Sequence, residues 1–327
     1  MNRKSILRQF NVWRLKHITD KQFILILSVV IGFLAGTAAV LIKNTVHFIG
    51  ELLTGWFAEG YENYMYIFYP AIGILIVMLF IKFILRQPVQ DGVPNVLFSI
   101  SKSNGLMKPH NIFSSVITSS LTVGFGGSVG LEGPTLATGA AIGSNLGRVL
   151  KLNYKQIVLL LGCACAGAMS AIFKAPIAAI VFALEVIMLD LTMASLIPLL
   201  MASVTAALTS YFFLGQNVLY PFEVTSKFSL TYVPFYIILG VITSFVSVYF
   251  IRMIDFAGKQ FEKIKGWVAR FAIGASILGL LVFLFPALYG EGYSSINAAL
   301  QGDYTYIFDR SLFYDFKDNF LATIILL

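Results

Sequence analysis

Charge is scarce in this chain. Asp, Glu, Lys and Arg together make up 12% of its 327 residues, about half the share of roughly 25% usual in a soluble domain, which excludes an ordinary water-soluble globule. Cysteine is nearly absent. Cys163 and Cys165 stand two apart in an apolar block, too close to staple distant segments and without zinc spacing, so they read as small buried hydrophobes. The three histidines, His17, His47 and His110, are far apart and suggest no metal site. No His/Asp/Ser grouping or metal spacing accompanies any carboxylate, which leaves a membrane enzyme with little support. The formal charge of +7 does not point to nucleic acid, because the basic residues crowd beside apolar spans, where they report topology.

What is abundant is apolar length. Hydrophobic residues reach 58% and mean hydropathy is +0.83. Long apolar stretches fall at about 23–49, 66–85, 111–124, 135–150, 156–173, 176–189, 195–214, 231–254 and 271–286, with another starting near 319. A bilayer core of about 30 Å needs roughly 20 helical residues. The first stretch and 231–254 suffice, whereas 111–124 and 176–189 are too short to cross upright and predict partial or tilted helices. The expected fold is therefore all-α: a polytopic integral membrane protein with broken helices, divided into a basic amphipathic segment at 1–21 and one membrane unit over 22–327. The first segment carries Arg3, Lys4, Arg8, Arg14, Lys16 and Lys21 among Phe10, Val12, Trp13 and Leu15. It reads as lying on the cytoplasmic membrane surface, with a free basic tail as the plainer alternative. Basic clusters at Lys82–Arg86, Lys102–Lys108, Arg148–Lys155 and Arg252–Arg270 mark the cytoplasmic side. Glu51 to Tyr69, with three acidic residues and no Lys or Arg, should face outward.

Two breaks share a design. Gln90-Asp91-Gly92-Val93-Pro94-Asn95 opens an apolar run to Ile100, and Gly126-Gly127-Ser128-Val129-Gly130-Leu131-Glu132-Gly133-Pro134 opens one to Leu150. Each sets proline in the first helical turn, where its missing N–H has no partner to lose. A helix that starts inside the membrane points unpaired amides, and about half a positive charge, at whatever lies ahead. That makes an anion site without lysine or arginine, and a full positive side chain would hold the ion too firmly for rapid release. Ordinary Gly-Pro turns are the plainer reading of both breaks. Glu132 strengthens the second, since an intramembrane carboxylate is a functional candidate by default. At a helix N-terminus it reads as a tethered anion that protonation neutralises; a glutamate capping its own helix is the alternative. A third start, Lys174-Ala175-Pro176, precedes Ile177–Leu184 and then Glu185-Val186.

These residues resemble the CLC family of chloride channels and proton–chloride exchangers. The second break is similar to that family's GGSxGxEGP signature, Gly92-Val93-Pro94 to the end of its GSGIP element, Phe173-Lys174-Ala175-Pro176-Ile177-Ala178 to its FNAPLA-like helix start, and Tyr289-Gly290-Glu291-Gly292-Tyr293 to its later glycine-rich loop. The resemblance runs from about residue 22 to the end. It implies an inverted-repeat fold with broken and tilted helices, chloride as transported ligand, no cofactor, and a homodimer with one pore per subunit. It also implies multi-pass insertion in a bacterial inner membrane with the N-terminus cytoplasmic. Glu132 falls on the gating glutamate, and Asp91, Gly92, Val93, Gly130, Leu131 and Gly133 fall on the anion-binding positions, with backbone amides as far as Leu136 contributing. The stretches 176–189 and 195–214 are candidates for the dimer interface.

Three departures from the family pattern matter. Asp91 stands where the family has an anion-coordinating serine, so it either turns away or weakens the central site. The fluoride-selective branch lacks the Gly-Val-Pro ending, which puts chloride first. Val186 stands where exchangers carry an inner proton-accepting glutamate, which favours a channel over the alternative, a proton-coupled exchanger. The chain stops at Leu327 before the family's second anion loop and pore tyrosine, so the expectation is a fragment of a longer chain, with room beyond Leu327 for a cytoplasmic regulatory domain. A non-transporting scaffold is the reading if that last third is truly lacking.

Overall fold

The computed structural model describes residues 9, 12–56, 64–89, 92–187, 193–216, 219–220, 229–303, 305–308, 311 and 313–316. Asp91 and the apolar stretch beginning near 319 lie outside them. Among the described residues there is no strand.

The helices are α1 (Asp20–Glu51), α2 (Phe68–Leu79), α3 (Gly92–Lys102), α4 (Asn111–Gly124), α5 (Glu132–Val149), α6 (Tyr154–Phe173), α7 (Pro176–Ile187), α8 (Met193–Leu214), α9 (Val233–Lys263), α10 (Trp267–Leu284) and α11 (Tyr293–Leu300). Local chemistry sets their ends. Capping boxes of Thr19 with Gln22 and of Asn153 with Gln156 open α1 and α6, each pair satisfying amides that the first turn leaves free. Lys174 adopts a left-handed conformation at φ 54°, and Pro176 follows two residues later, so α6 stops and α7 starts anew.

Among the described residues six stretches are long and apolar enough to cross a membrane: Asp20–Gly55, Tyr64–Leu85, Tyr154–Phe173, Ser195–Leu214, Leu230–Lys263 and Trp267–Leu284. The chain is an integral multi-pass membrane protein. The shorter α3, α4 and α7, with 11, 14 and 12 residues, reach only about 16–21 Å at 1.5 Å per residue. Such helices must end on protein or on a cavity, since lipid satisfies no backbone group. One expectation changes in detail. Lys259 and Lys263 are not loop flanks; they sit on α9, which runs nine residues past the apolar stretch ending at 254. No residue of α9 is buried.

The core is built on α6, which packs against α1, α5, α7 and α8. Gly162-Cys163-Ala164-Cys165-Ala166-Gly167-Ala168 is buried throughout, and both cysteines are free thiols within it. Without a hydrophobic force between helices in lipid, close backbone approach and interhelical hydrogen bonds hold the bundle. A Cβ on Gly143 would stand 2.5 Å from the Leu160 carbonyl oxygen, and one on Gly139 2.7 Å from that of Ala164. Ser170 Oγ donates to the Ser203 carbonyl at 2.7 Å, Ser210 Oγ to that of Ala171 at 2.6 Å, and Ser144 Oγ to that of Gly105 at 2.6 Å. At the N-terminal end, 12–17 is helical. Its Arg14 is buried, pairs with Asp20 and lies 4.1 Å above the Phe23 ring.

Gly143→Val tests the α5–α6 contact. Overpacking a close interface costs about 1–3 kcal/mol, so the variant in detergent is expected to unfold at a clearly lower temperature. An unchanged midpoint would mean that the two backbones separate freely.

Candidate functional site

The two breaks meet. A Cβ added to Gly92 would overlap the carbonyl oxygen of Gly133, so the first turn of α3 lies directly against the first turn of α5. Only glycine allows this approach. Pro94 and Pro134 occupy the first turns of their helices and remove one N–H from each. The remaining first-turn amides, including those of Gly92, Val93, Glu132 and Gly133, have no carbonyl one turn earlier to bond. Two half-positive helix ends thus converge on one spot. Asn95 and Val96 behind α3, and Thr135 and Leu136 behind α5, are buried, which fixes both helices at the contact.

The N-cap of α5, Leu131, has no side chain that can cap, and Glu132 follows as the first helical residue. Its side chain folds back: a Cβ on Gly130 would strike Glu132 Oε2. Its Oε1 accepts a hydrogen bond from the Tyr293 hydroxyl, across 161 residues of sequence. Leu131, just before it, is buried.

Tyr293 reaches this point because its loop is pinned to the first half of the second break. Tyr289 Oη donates to the Gly124 carbonyl at 2.7 Å, and its ring occupies the space that a Cβ on Gly126 would need, 2.5 Å away. Gly126 has φ +90°, a region few other residues adopt. Beside the loop lies a cavity of about 400 Å³, lined by Lys43, His47, Glu51, Tyr289, Glu291 and Tyr293 among others. Burial pushes the Glu291 carboxyl above its ordinary range; Lys43 opposes the shift and the charge of Glu132 adds to it. Burial and then the bond to Glu132 push the Tyr293 phenol up, so it stays a proton donor. Among the described residues no cluster of three or more His, Cys, Asp or Glu side chains forms a metal site.

Of the residues singled out from sequence, Gly92, Val93, Gly130, Leu131, Glu132 and Gly133 thus come together at one place. Asp91 lies outside the described residues. Val186 is half-buried against the same core cluster as Val93, and Glu185 beside it is exposed. After the third start at Pro176, α7 packs mainly on α6 and α8 and also touches α3, while Lys174 Nζ donates to the Gly215 carbonyl at 2.6 Å. Sequence reasoning named Tyr289, Glu291 and Tyr293 only as part of a glycine-rich loop, with no role at the site, and missed Lys43. The available signal was an acidic residue inside Tyr-Gly-Glu-Gly-Tyr directly after an apolar span.

Known proteins resemble this chain over most of its length. A family model described as voltage gated chloride channel matches residues 72–327. The chain is 29% identical over 237 residues to a putative chloride channel protein ClcB-like from Ralstonia nicotianae, covering 71% of this chain and 55% of the relative. It is 24% identical over 298 residues to the H(+)/Cl(-) exchange transporter ClcA of Vibrio cholerae, covering 86% of this chain and 63% of the relative. It therefore spans less than two thirds of either relative. Among solved structures it resembles a CLC-type fluoride/proton antiporter, with TM-score 0.74 and 26% identity over 95% of this chain and 75% of that one. A slow cyanobacterial Cl-/H+ antiporter shares the fold, with TM-score 0.72 and 18% identity over 90% of this chain and 72% of that one.

Gly92→Ala probes the contact of the two breaks. The added methyl must separate α3 from α5, and anion binding measured by calorimetry is expected to weaken by about tenfold or more, in line with misplacement of fixed dipoles by about 1 Å. Unchanged binding would separate the anion site from this contact.

Proposed function

The chain belongs to the voltage-gated chloride channel family, and from that premise we propose that it moves chloride and similar small anions across a bilayer, past the meeting point of α3 and α5. The observation that carries this reading is the contact of Gly92 with the Gly133 backbone, which sets two helix N-termini against one another without a basic side chain between them. In this reading the amides of Gly92, Val93, Gly130, Leu131 and Gly133 replace part of the anion's hydration shell. Asp91, where the family has serine, leaves the inner part of the site a weaker anion binder.

Glu132 is the gate. Its carboxylate is a tethered anion at the mouth of α5, in competition with a free one for the same amides. Protonation removes the charge and the competition, so flux rises as pH falls. The bond of the Glu132 carboxylate to Tyr293, in a distant loop, supports this role over capping of its own helix.

Passive, channel-like passage is the first reading, because Val186 cannot carry a proton at the position where exchangers have a glutamate. Proton-coupled exchange is the second. It is favoured by the names of the Vibrio cholerae relative and of both antiporter structures. The working unit is proposed to be a homodimer with one pore per subunit, joined through α7 and α8, in a bacterial inner membrane with the N-terminus in the cytoplasm.

Reconstitution in liposomes tests these readings together. Glu132→Gln is expected to raise chloride flux at near-neutral pH several-fold and to flatten its pH dependence; pH-dependent flux at the parent level would return Glu132 to a structural role. In the parent protein a chloride gradient is expected to drive no stoichiometric proton uptake, and measurable uptake at a fixed ratio to chloride would select exchange.

A further inference from the structure

The glycine-rich loop is tied to the gate more closely than a structural connection requires. Tyr293 is the first residue of α11 and is half-buried. Its hydroxyl is the hydrogen-bond partner of Glu132 Oε1. Its ring meets Tyr220 edge-on, with centroids 5.8 Å apart. Four residues earlier, Tyr289 fastens the same loop to Gly124, at the start of the glycine segment that leads into Glu132. On the far side, Asn297 Nδ2 donates to the Leu219 carbonyl at 3.1 Å and Ser295 Oγ to that of Ala287 at 3.1 Å. The phenol is therefore held from both ends and aimed at one oxygen. A bond from a neutral donor to a carboxylate in a half-buried site stabilises the ionised, anion-competing form and its position; a protonated carboxyl accepts the same bond far more weakly.

We propose that Tyr293 is a positioning residue that latches the Glu132 carboxylate closed from the outer side, so that the gate opens when protonation of Glu132 weakens this bond. The proposal rests on the reading of Glu132 as the gate. The charged and titratable groups around the latch act in opposite directions. Glu291, in the same cavity, disfavours a second negative charge at Glu132, while Lys43 draws negative charge toward the cavity. Tyr220, whose ring abuts Tyr293, and Tyr289 remain neutral donors. His47 and Glu51 pair with each other at 3.3 Å on the exposed rim and add little. The latch then holds the Glu132 carboxylate in place beside Glu291, and its removal frees the side chain to swing.

Chloride flux of the full chain in liposomes, measured against external pH, tests this. Tyr293→Phe keeps the ring and its packing on Tyr220 and deletes only the donor. It is expected to raise near-neutral flux several-fold and to move the half-activation pH upward by roughly one to two units, the scale of one hydrogen bond to a charged group. In a Glu132→Gln background the same substitution is expected to change nothing further, because the latch acts only through the carboxylate. A Tyr293→Phe effect of equal size in both backgrounds, or no pH shift at all, overturns the latch and leaves the gate intact. If Glu132→Gln itself leaves flux and pH dependence unchanged, the gate reading fails, and the latch with it. Should Tyr293→Phe fold poorly, 3-fluorotyrosine at 293 keeps the shape and strengthens the donor. It is expected to move the half-activation pH downward, and an unchanged or raised value counts against the latch.

Discussion

The structure turns on backbone amides left without partners at the starts of α3 and α5. In lipid no water can bond them, so two such ends brought together inside a membrane protein favour a negative partner at that point. Each end is equivalent to about half a positive charge. At ~4 Å and an effective dielectric of ~20, one such end attracts a monovalent anion by about 2 kcal/mol, and two by about 4 kcal/mol, close to a thousandfold in a dissociation constant. That attraction matches a single ammonium group in size, yet it belongs to fixed dipoles that carry no hydration shell of their own and need no rearrangement as the ion arrives or leaves.

The rest of the bundle serves to hold those two ends. Glycine at 92 lets the first turns touch, and prolines at 94 and 134 set the helical φ without presenting an amide that must be satisfied elsewhere. The small-residue contacts of Gly139 and Gly143 with α6 fix the direction of α5. The buried Gly-Cys-Ala-Cys-Ala-Gly run of α6 gives α1, α5, α7 and α8 a common surface. The glycine-rich loop then closes over the same place from a distant part of the chain. Tyr289 bonds to the backbone leading into α5 and Tyr293 to the first side chain of α5.

How much of this can be read from sequence follows from the range of each interaction. Helices announced by apolar length and by local punctuation are plain: the stretch 111–124 coincides with α4, and 195–214 with all but the first two residues of α8. The first-turn prolines mark the starts of α3, α5 and α7 for the same local reason. That the starts of α3 and α5 meet is not local. Spacing does not give it, and only the family resemblance brought Gly92 and Val93 to the same ion as Glu132. The reach of α9 through Lys259 and Lys263 escaped because a helix can leave the apolar zone without any change in backbone. Tyr293 escaped for a different reason. A tyrosine beside glycines is an unremarkable loop residue until the fold sets Glu132 opposite it, and no periodic pattern encodes a partner 161 residues away.

The central claim is that main-chain dipoles at the α3–α5 contact, rather than basic side chains, hold the anion. Anomalous diffraction from bromide-soaked crystals of the Glu132→Gln protein tests it most directly. The account predicts a bromide peak within hydrogen-bond distance of amides among Gly92, Val93 and Gly130–Gly133, with no Lys or Arg nitrogen in contact. A peak beside Lys43 or Lys174 with the α3–α5 contact left empty would contradict it.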